Sequence, residues 1–484
     1  MTPIASRLRQ HGAVLLLLAA AGATYSRTQQ SFGMLMWDEA EYASIARSVL
    51  RGEGFAIAGK PNLLRPPLLP LAGAASMWAT GAVDDRSVKL ATLALAILAL
   101  GVAYATTSTA FDGVTGLFAA YLLATAPQFW VMTGQFLSEI PFLAFFSAAI
   151  LGFELGLRGN PRWFWLSWVS WVLALMTRYT ATLFGLFVLL RLAGALLLRR
   201  EEQWSRVRTV EFLGAPLVAM LLVVPWLLRQ QIAFGDALIG FKQASQQLQM
   251  YMPAVSMPWY FYLVHLPDML SPPTTVLLAF GVIWTVWRRN GVTLACSLVI
   301  IGILLWFSVY RYKEIRLVTS ILPFAAIVAS VGVTQILRDR WRLALLPTAL
   351  IIFMWNQRLT APIFSTQITL GYPPFLEALQ FVREHSPREA VIMGASRPQI
   401  AWYADRRVIE FPEPAELATA LQKSEWVVLT SFERGQKSYA TSIARQLSAM
   451  NAPGEIIPFS DQRFSVIVVR GEFIRQHLQR SSSG

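Results

Sequence analysis

The chain has 484 residues, 55% hydrophobic and only 14% charged, with a mean hydropathy of +0.48. A soluble chain carries roughly 25% charged residues, so the deficit excludes a cytosolic enzyme, a disordered scaffold and a filament, and leaves a membrane enzyme, a transporter or a membrane-embedded binding protein. The net charge of +13 does not call for a nucleic-acid partner: from residue 357 onward 14 Lys and Arg face 12 Asp and Glu, against 27 and 16 in the rest, so the excess lies in the apolar part, where orientation signals and anionic headgroups account for it.

Arg7 and Arg9 precede an apolar stretch, Ala13 to Ala23, read here as an uncleaved first span, although Ala21-Gly22-Ala23 would serve a signal peptidase. Next comes Trp37-Asp38-Glu39-Ala40-Glu41-Tyr42. Helical spacing sets Asp38, Glu41 or Tyr42, and Ile45 on one face, which suggests an amphipathic helix lying on the membrane. Acids at a helix start suit its dipole; an acid pair where membrane meets water also suits a general base for a hydroxyl acceptor. In the same loop, Leu64-Arg65-Pro66-Pro67 ends any helix and presents a guanidinium from a stiff turn, fit for a bidentate hold on a lipid phosphate. A snorkelling arginine beside a loop proline is the plain alternative.

Further apolar runs, at 87–107, 114–132, 140–157, 163–177, 179–198, 210–228, 273–287, 291–309, 317–337 and 343–356, bring the expected count to about eleven spans. Glu139 falls at the mouth between spans three and four, in a connection without Lys or Arg, where an acid is costly unless used or paired; Arg178, in another short turn, is its candidate partner. Cys296 is the only cysteine, and His11, His265, His385 and His477 are scattered, so neither a disulfide nor a thiolate or histidine metal cluster is indicated. His265 and Asp268 read as loop-surface residues. Tyr310-Arg311-Tyr312-Lys313-Glu314-Ile315-Arg316 gathers three cations in one outer loop, against the positive-inside tendency. A bound phosphate explains them; so does an internal Lys313–Glu314–Arg316 pairing.

With a cytoplasmic N-terminus, the remaining strongly basic connections fall inside, and the loops at about 26–86 and 230–272 fall outside with the tail. The expected division is therefore a transmembrane module over 1–356 and an extracytoplasmic α/β domain over 357–484. Its strand candidates are Ala390 to Gly394, Arg407 to Phe411, Trp426 to Thr430, Glu455 to Phe459 and Phe464 to Val469, with helices at Phe375 to Glu384 and Lys437 to Met450. Residues from Arg480 onward look unstructured. There is no internal repeat, phosphate-cradling glycine loop or Gly-x-Ser-x-Gly elbow.

Taken together, an Asp-Glu pair after the first span, an Arg-Pro-Pro segment in the same loop, a second acid after span three and a Lys-Glu-x-Arg loop before a late span resemble the GT-C membrane glycosyltransferases. Within them the pattern is similar to the bacterial protein-mannosyltransferase-like and aminoarabinose-transferase-like enzymes. The resemblance implies a polytopic helical protein of the cell membrane, about eleven spans with an exported α/β domain. It implies transfer of a sugar, with inversion, from a polyprenyl-phosphate donor to a lipid, glycan or protein acceptor on the extracytoplasmic face. By position Asp38, with Glu39 beside it, matches the catalytic acid of the first loop, and Glu139 the second acidic motif, where many relatives have Asp. Arg65 matches the cation that meets the carrier phosphate; Lys313, Glu314 and Arg316 match the late loop, where Tyr312 stands in a place often taken by His. Arg178 and Tyr42 join them as substrate contacts. No nucleotide is implied, and a divalent ion, used by some relatives, stays open. The competing class is a lipid flippase or secondary transporter, which would gather polar groups near the bilayer midplane rather than at the span ends.

Overall fold

The structure is a computed structural model that describes residues 3–29, 33–34, 36–197, 209–250, 257–311, 313–337, 344–370, 373–431, 437–450, 452–462 and 464–482. It has two compact units, Met1–Ser31 with Leu63–Gln367, and Phe32–Asn62 with Ile368–Gly484. The second unit thus takes residues 32–62 of the first long loop together with the tail.

In chain order the helices are α1 (Pro3–Gln29), α2 (Trp37–Leu50, in the second unit), α3 (Leu68–Thr80), α4 (Asp85–Ala110), α5 (Gly113–Thr125), α6 (Pro127–Thr133), α7 (Glu139–Leu157), α8 (Arg162–Leu175), α9 (Leu183–Leu197), α10 (Thr209–Met220), α11 (Val224–Phe234) and α12 (Ile239–Met250). The short α13 (Phe261–Val264) and α14 (Leu266–Leu270) precede α15 (Pro272–Arg288), α16 (Gly291–Ser308), α17 (Leu322–Ile336) and α18 (Leu345–Leu370). Their starts are written in the sequence: the Asp84 carboxylate accepts from the Ser87 amide at 2.7 Å and Asp112 from Thr115 at 2.8 Å, satisfying amides that a helix leaves unbonded. Among the described residues, each apolar run expected to span is mostly helical, with breaks at Ala126 and Leu221–Val223 and 3-10 stretches at Tyr179–Thr182 and Ile315–Ile321. Among the described residues five helices are long and apolar enough to cross a bilayer, or six if α5 and α6 count as one. That pair departs from the straight span expected over 114–132 and bends by 65°. Pro127 cannot donate to a continuing helix and holds Ala126 extended, which breaks the run. Helix α3 was not foreseen in the first loop.

The core helix of this unit is α7, buried at every position but Phe145. Its two carboxylates are therefore buried as well. Glu154 is paired with Arg191 of α9. The α15–α17 crossing is made by small residues: a Cβ on Gly332 would run into the backbone of Gly281, and one on Gly281 into the Val328 carbonyl. Leu221, Ile232, Val286, Trp287 and Leu350 face outward, an arrangement a bilayer requires and water would penalise.

The second unit opens with α2 and a two-residue hairpin, β1 (Ala56–Ile57) with β2 (Lys60–Pro61), turned by Ala58 and Gly59 at φ 50° and 79°. After α19 (Pro373–Glu384) follow β3 (Val391–Met393), α20 (Arg397–Ala404), β4 (Arg407–Ile409), α21 (Leu417–Lys423), β5 (Trp426–Thr430), α22 (Ser438–Ser448), β6 (Ile456–Ser460), β7 (Ser465–Arg470) and α23 (Gly471–Ser482). The sheet order is β4-β3-β5-β7-β6, parallel among β4, β3 and β5 and antiparallel beyond. One face buries Leu379, Ile400 and Ala401 of α19 and α20; the other buries Leu421, Ile443 and Ile474 of α21, α22 and α23. All five expected strands are found within two residues of their expected ends. Helix α23 runs through Ser482, past the point where the sequence looked unstructured.

Helix α2 is not the membrane-surface helix its spacing suggested. It is buried without interruption from Glu39 to Ser48, and Ile45 lies in the same core as Phe375, Leu379 and Ile400. A lone apolar stripe can meet a protein core as well as a lipid surface, and here the core takes it.

Candidate functional site

Glu139 occupies the first turn of α7 and is 3% exposed. Its Oε1 accepts a hydrogen bond from Arg178 Nη1 at 2.7 Å and lies 3.9 Å from Arg316 Nη1. Arg178 stands in extended conformation between the end of α8 and a 3-10 turn at Tyr179–Thr182, and its guanidinium lies 6.0 Å from the centre of the Phe142 ring. Arg316 in turn donates through Nε to Glu314. Two carboxylates and two guanidiniums thus make one connected network. Glu139 Oε2 is buried and has no hydrogen-bond partner among the described residues. A buried carboxylate oxygen left open in this way can accept from a hydroxyl or amine that a ligand brings.

Lys313 is 3% exposed, and its ammonium donates to the carbonyls of Met257, at 3.1 Å, and Tyr310. The Met257 amide closes the junction by donating to the Arg311 carbonyl at 3.1 Å. Burial pushes the Lys313 ammonium below its ordinary range. The internal pairing considered for this loop is therefore half realised: Glu314 holds Arg316, while Lys313 anchors the loop through backbone oxygens.

Arg65 is half-buried on a backbone stapled from both sides. Leu63 O accepts from Gln230 Nε2 at 3.3 Å, and the Leu68 amide donates to Met176 O at 2.9 Å, two residues before Arg178. Pro66 and Pro67 are buried between these ties. Gly240 is needed beside them, since a Cβ there would collide with the Tyr179 hydroxyl. The Phe241 ring packs on the Tyr179 ring, tilted by 40° with centroids 4.1 Å apart. Guanidiniums held by carboxylates in this way, with the Lys313 ammonium buried in the same loop as Arg316, are groups that an anionic ligand can meet.

The acids of the first loop belong to the second unit. Asp38 is half-buried in the first turn of α2. Glu39 is buried, and its Oε2 accepts from the Met36 amide at 3.0 Å, capping the helix of which it is the third residue. Glu41 accepts from Trp37 Nε1 at 3.2 Å, and Tyr42 is buried. Of the acid pair, then, Glu39 serves the helix end, and Asp38 keeps access to solvent.

Sequence reasoning anticipated the Glu139–Arg178 pair. It missed the link from Glu139 to Arg316, because two short loops 177 residues apart carry no mutual signal. It also missed Gln230 and the carbonyls around Lys313, which belong to backbone geometry. His265 Nδ1 meets Asp268 at 2.7 Å on an exposed loop. Among the described residues no three His, Cys, Asp or Glu side chains gather as a cation site.

Comparison with known proteins agrees with this architecture. Residues 64–228 match the family model described as dolichyl-phosphate-mannose-protein mannosyltransferase. No curated protein matches the chain. The solved structure of ArnT from Cupriavidus metallidurans bound to undecaprenyl phosphate is similar over 94% of this chain and 98% of its own, with a TM-score of 0.74 at 15% identity. The archaeal oligosaccharyltransferase AglB from Archaeoglobus fulgidus, in complex with an inhibitory peptide and a dolichol-phosphate, is similar over 85% of this chain and 69% of its own, with a TM-score of 0.55 at 12% identity. The arabinofuranosyltransferase AftD from Mycobacteria is similar over 94% of this chain and 40% of its own, with a TM-score of 0.52 at 12% identity.

Proposed function

We propose, for a multi-pass membrane protein that has the fold of the GT-C glycosyltransferases, that it moves a sugar from a polyprenyl-phosphate donor to an acceptor on the extracytoplasmic face, with inversion at the anomeric carbon. The observation that carries the reading is the ion network of the first unit, in which Arg178 donates to a buried Glu139 and Arg316 lies 3.9 Å from it, in a fold shared almost end to end with a protein solved with undecaprenyl phosphate. A sugar bonded to phosphate already has a leaving group, so the chemistry needs cations for the departing phosphate and one base for the acceptor.

In this reading Asp38 takes the proton of the acceptor hydroxyl or amine as its oxygen or nitrogen attacks the anomeric carbon and the bond to phosphate breaks. Glu39 supports it by fixing the start of α2, and buried Tyr42 acts from the same helix. Arg65, Arg178 and Arg316 receive the phosphate charge, with Glu314 and Glu139 holding the two latter guanidiniums in place. Lys313 fixes the loop that carries them and adds its own charge.

The test is donor binding: Arg65→Ala is expected to weaken the polyprenyl-phosphate donor about tenfold or more, as loss of a bidentate charged contact requires, and Arg65→Lys distinctly less. Equal weakening by both would reduce Arg65 to a packing role.

A further inference from the structure

The acid-bearing helix is held by the tail of the chain through a set of contacts that simple packing would not need. Arg47, nine residues after Asp38 and on the opposite side of α2, is 8% exposed and donates to the carbonyls of Ala401, at 2.6 Å, and Trp402, at 2.7 Å, the last turn of α20. Carbonyls there lack helical partners and carry the negative end of the helix dipole, so a guanidinium satisfies both. Its Cζ also lies 5.1 Å over the Trp402 ring. The next residue beyond α20 is Asp405, at φ 54°, whose carboxylate takes two hydrogen bonds from Arg51, at 2.8 and 2.7 Å, and lies 3.2 Å from Arg47. At the other end, the Met34 amide, just ahead of α2, donates to the Tyr403 hydroxyl at 2.7 Å. The helix is therefore gripped at both ends by residues 401–405.

Ile45 in the core would suffice for burial alone. Holding buried Arg47 and exposed Arg51 around one carboxylate adds little dependable stability, because desolvation at Arg47 and solvent screening at Arg51 offset most of the attraction; what such a cluster does well is select one register. Burial pushes Arg47 down to about 10, a sign of how dry the joint is. Asp38 is nine residues from Arg47, about 13 Å along the helix, so a rotation of about 5° at the joint displaces the carboxylate by about 1 Å.

We propose that the tail's α/β domain is the mount of the catalytic helix, and that Asp405, acting through Arg47 and Arg51, is the positioning residue that sets where Asp38 stands. The inference rests on the reading of Asp38 as the base. It gives the tail a part in turnover beyond any contact with the acceptor.

The experiment uses the full chain in nanodiscs and has two readouts. Cys296 is buried, so cysteines introduced at exposed Trp37 and Ser448 take spin labels selectively, and their distance reports α2 against the sheet. Asp405→Ala is expected to broaden that distance distribution and to lower kcat about 10- to 100-fold, the cost of roughly ångström misplacement, with KM for the polyprenyl-phosphate donor within about threefold. Asp405→Glu and Arg51→Lys keep the charges and should fall between it and the wild type; they also carry the test if Asp405→Ala does not fold. An unchanged kcat, or a lowered kcat with an unchanged distance distribution, overturns the proposal. The distance readout needs no turnover, so a chain that transfers no sugar from any carrier refutes the function reading and leaves the mount to be decided on distance alone.

Discussion

Glu139 offers the sharpest quantitative test, because it faces two arginines on unequal terms. Arg178 is within hydrogen-bond distance at 2.7 Å, whereas Arg316, at 3.9 Å, is not. A charge-assisted hydrogen bond is worth about 1.5–3 kcal/mol net, and polar pairs between membrane helices average about 0.6 kcal/mol because the unfolded state in lipid finds other partners. Arg178 keeps 20% of its side chain exposed, which lowers the figure, while the 3% exposure of Glu139 raises it. The expected coupling in a double-mutant cycle of Glu139→Gln with Arg178→Gln is therefore about 1–2 kcal/mol. The cycle with Arg316→Gln should give less than half as much. Denaturation by SDS from mixed micelles supplies the free energies. A coupling to Arg178 below about 0.5 kcal/mol, or one smaller than that to Arg316, would refute the network as drawn and with it the proposal that Glu139 orients cations for a phosphate.

Ala58 sits at φ 50° in the β1–β2 turn, a conformation that costs an L residue about 1 kcal/mol. Ala58→Gly should therefore slow exchange of the Asn62 amide, which donates to Phe55 O at 2.8 Å across the hairpin, by about fivefold; faster exchange would contradict the strain. The Asp405 joint sets a pH expectation. Burial alone would raise the Asp405 carboxyl, but the Arg51 hydrogen bonds and the charges of Arg47 and Arg51 outweigh it and hold the group below the usual carboxylate range. A depressed carboxyl contributes its stability fully above its unfolded value of about 3.9 and loses it as pH falls through the folded one. The spin-label distance across the joint should hold from neutral pH down to about 4 and loosen only below; undocking between pH 5 and 7 would contradict the pairing.

The helices of the first unit were legible because apolar runs in a chain this poor in charge have few other uses, and the strands of the tail because short β-branched apolar runs such as Trp426 to Thr430, buried at every position, are too short for helices. The break at Pro127 was visible as a residue but not as a bend, since a hydropathy average does not register a lost amide. Candidate site residues were legible where a charge stood against an apolar background, as with the Glu139–Arg178 pair. The reverse held for α2. Its polar residues looked like a surface face, yet Arg47 is buried because its partners, two carbonyls and Asp405, lie about 355 residues away. Backbone acceptors leave no mark on a sequence, which is also why the Lys313 loop offered only a bound phosphate or an internal pairing with Glu314 and Arg316. The Glu39 cap was the exception: an acid three residues into a helix is a local signal, and it was weighed as one.

The central claim is carrier-dependent transfer with Asp38 as the base, and one measurement reaches it directly. Purified protein in nanodiscs is given a panel of polyprenyl-phosphate sugars and acceptors, and release of polyprenyl phosphate is compared between wild type and Asp38→Asn, a nearly isosteric change that spares the fold. The account predicts release by wild type with at least one donor, the sugar appearing on an acceptor, and loss of turnover by about a thousandfold or more in Asp38→Asn, the combined effect of removing base and charge. Turnover retained in Asp38→Asn would contradict the assignment of the base. Carrier movement across a sealed vesicle without sugar transfer, unaffected by Asp38→Asn, would contradict the transferase reading itself.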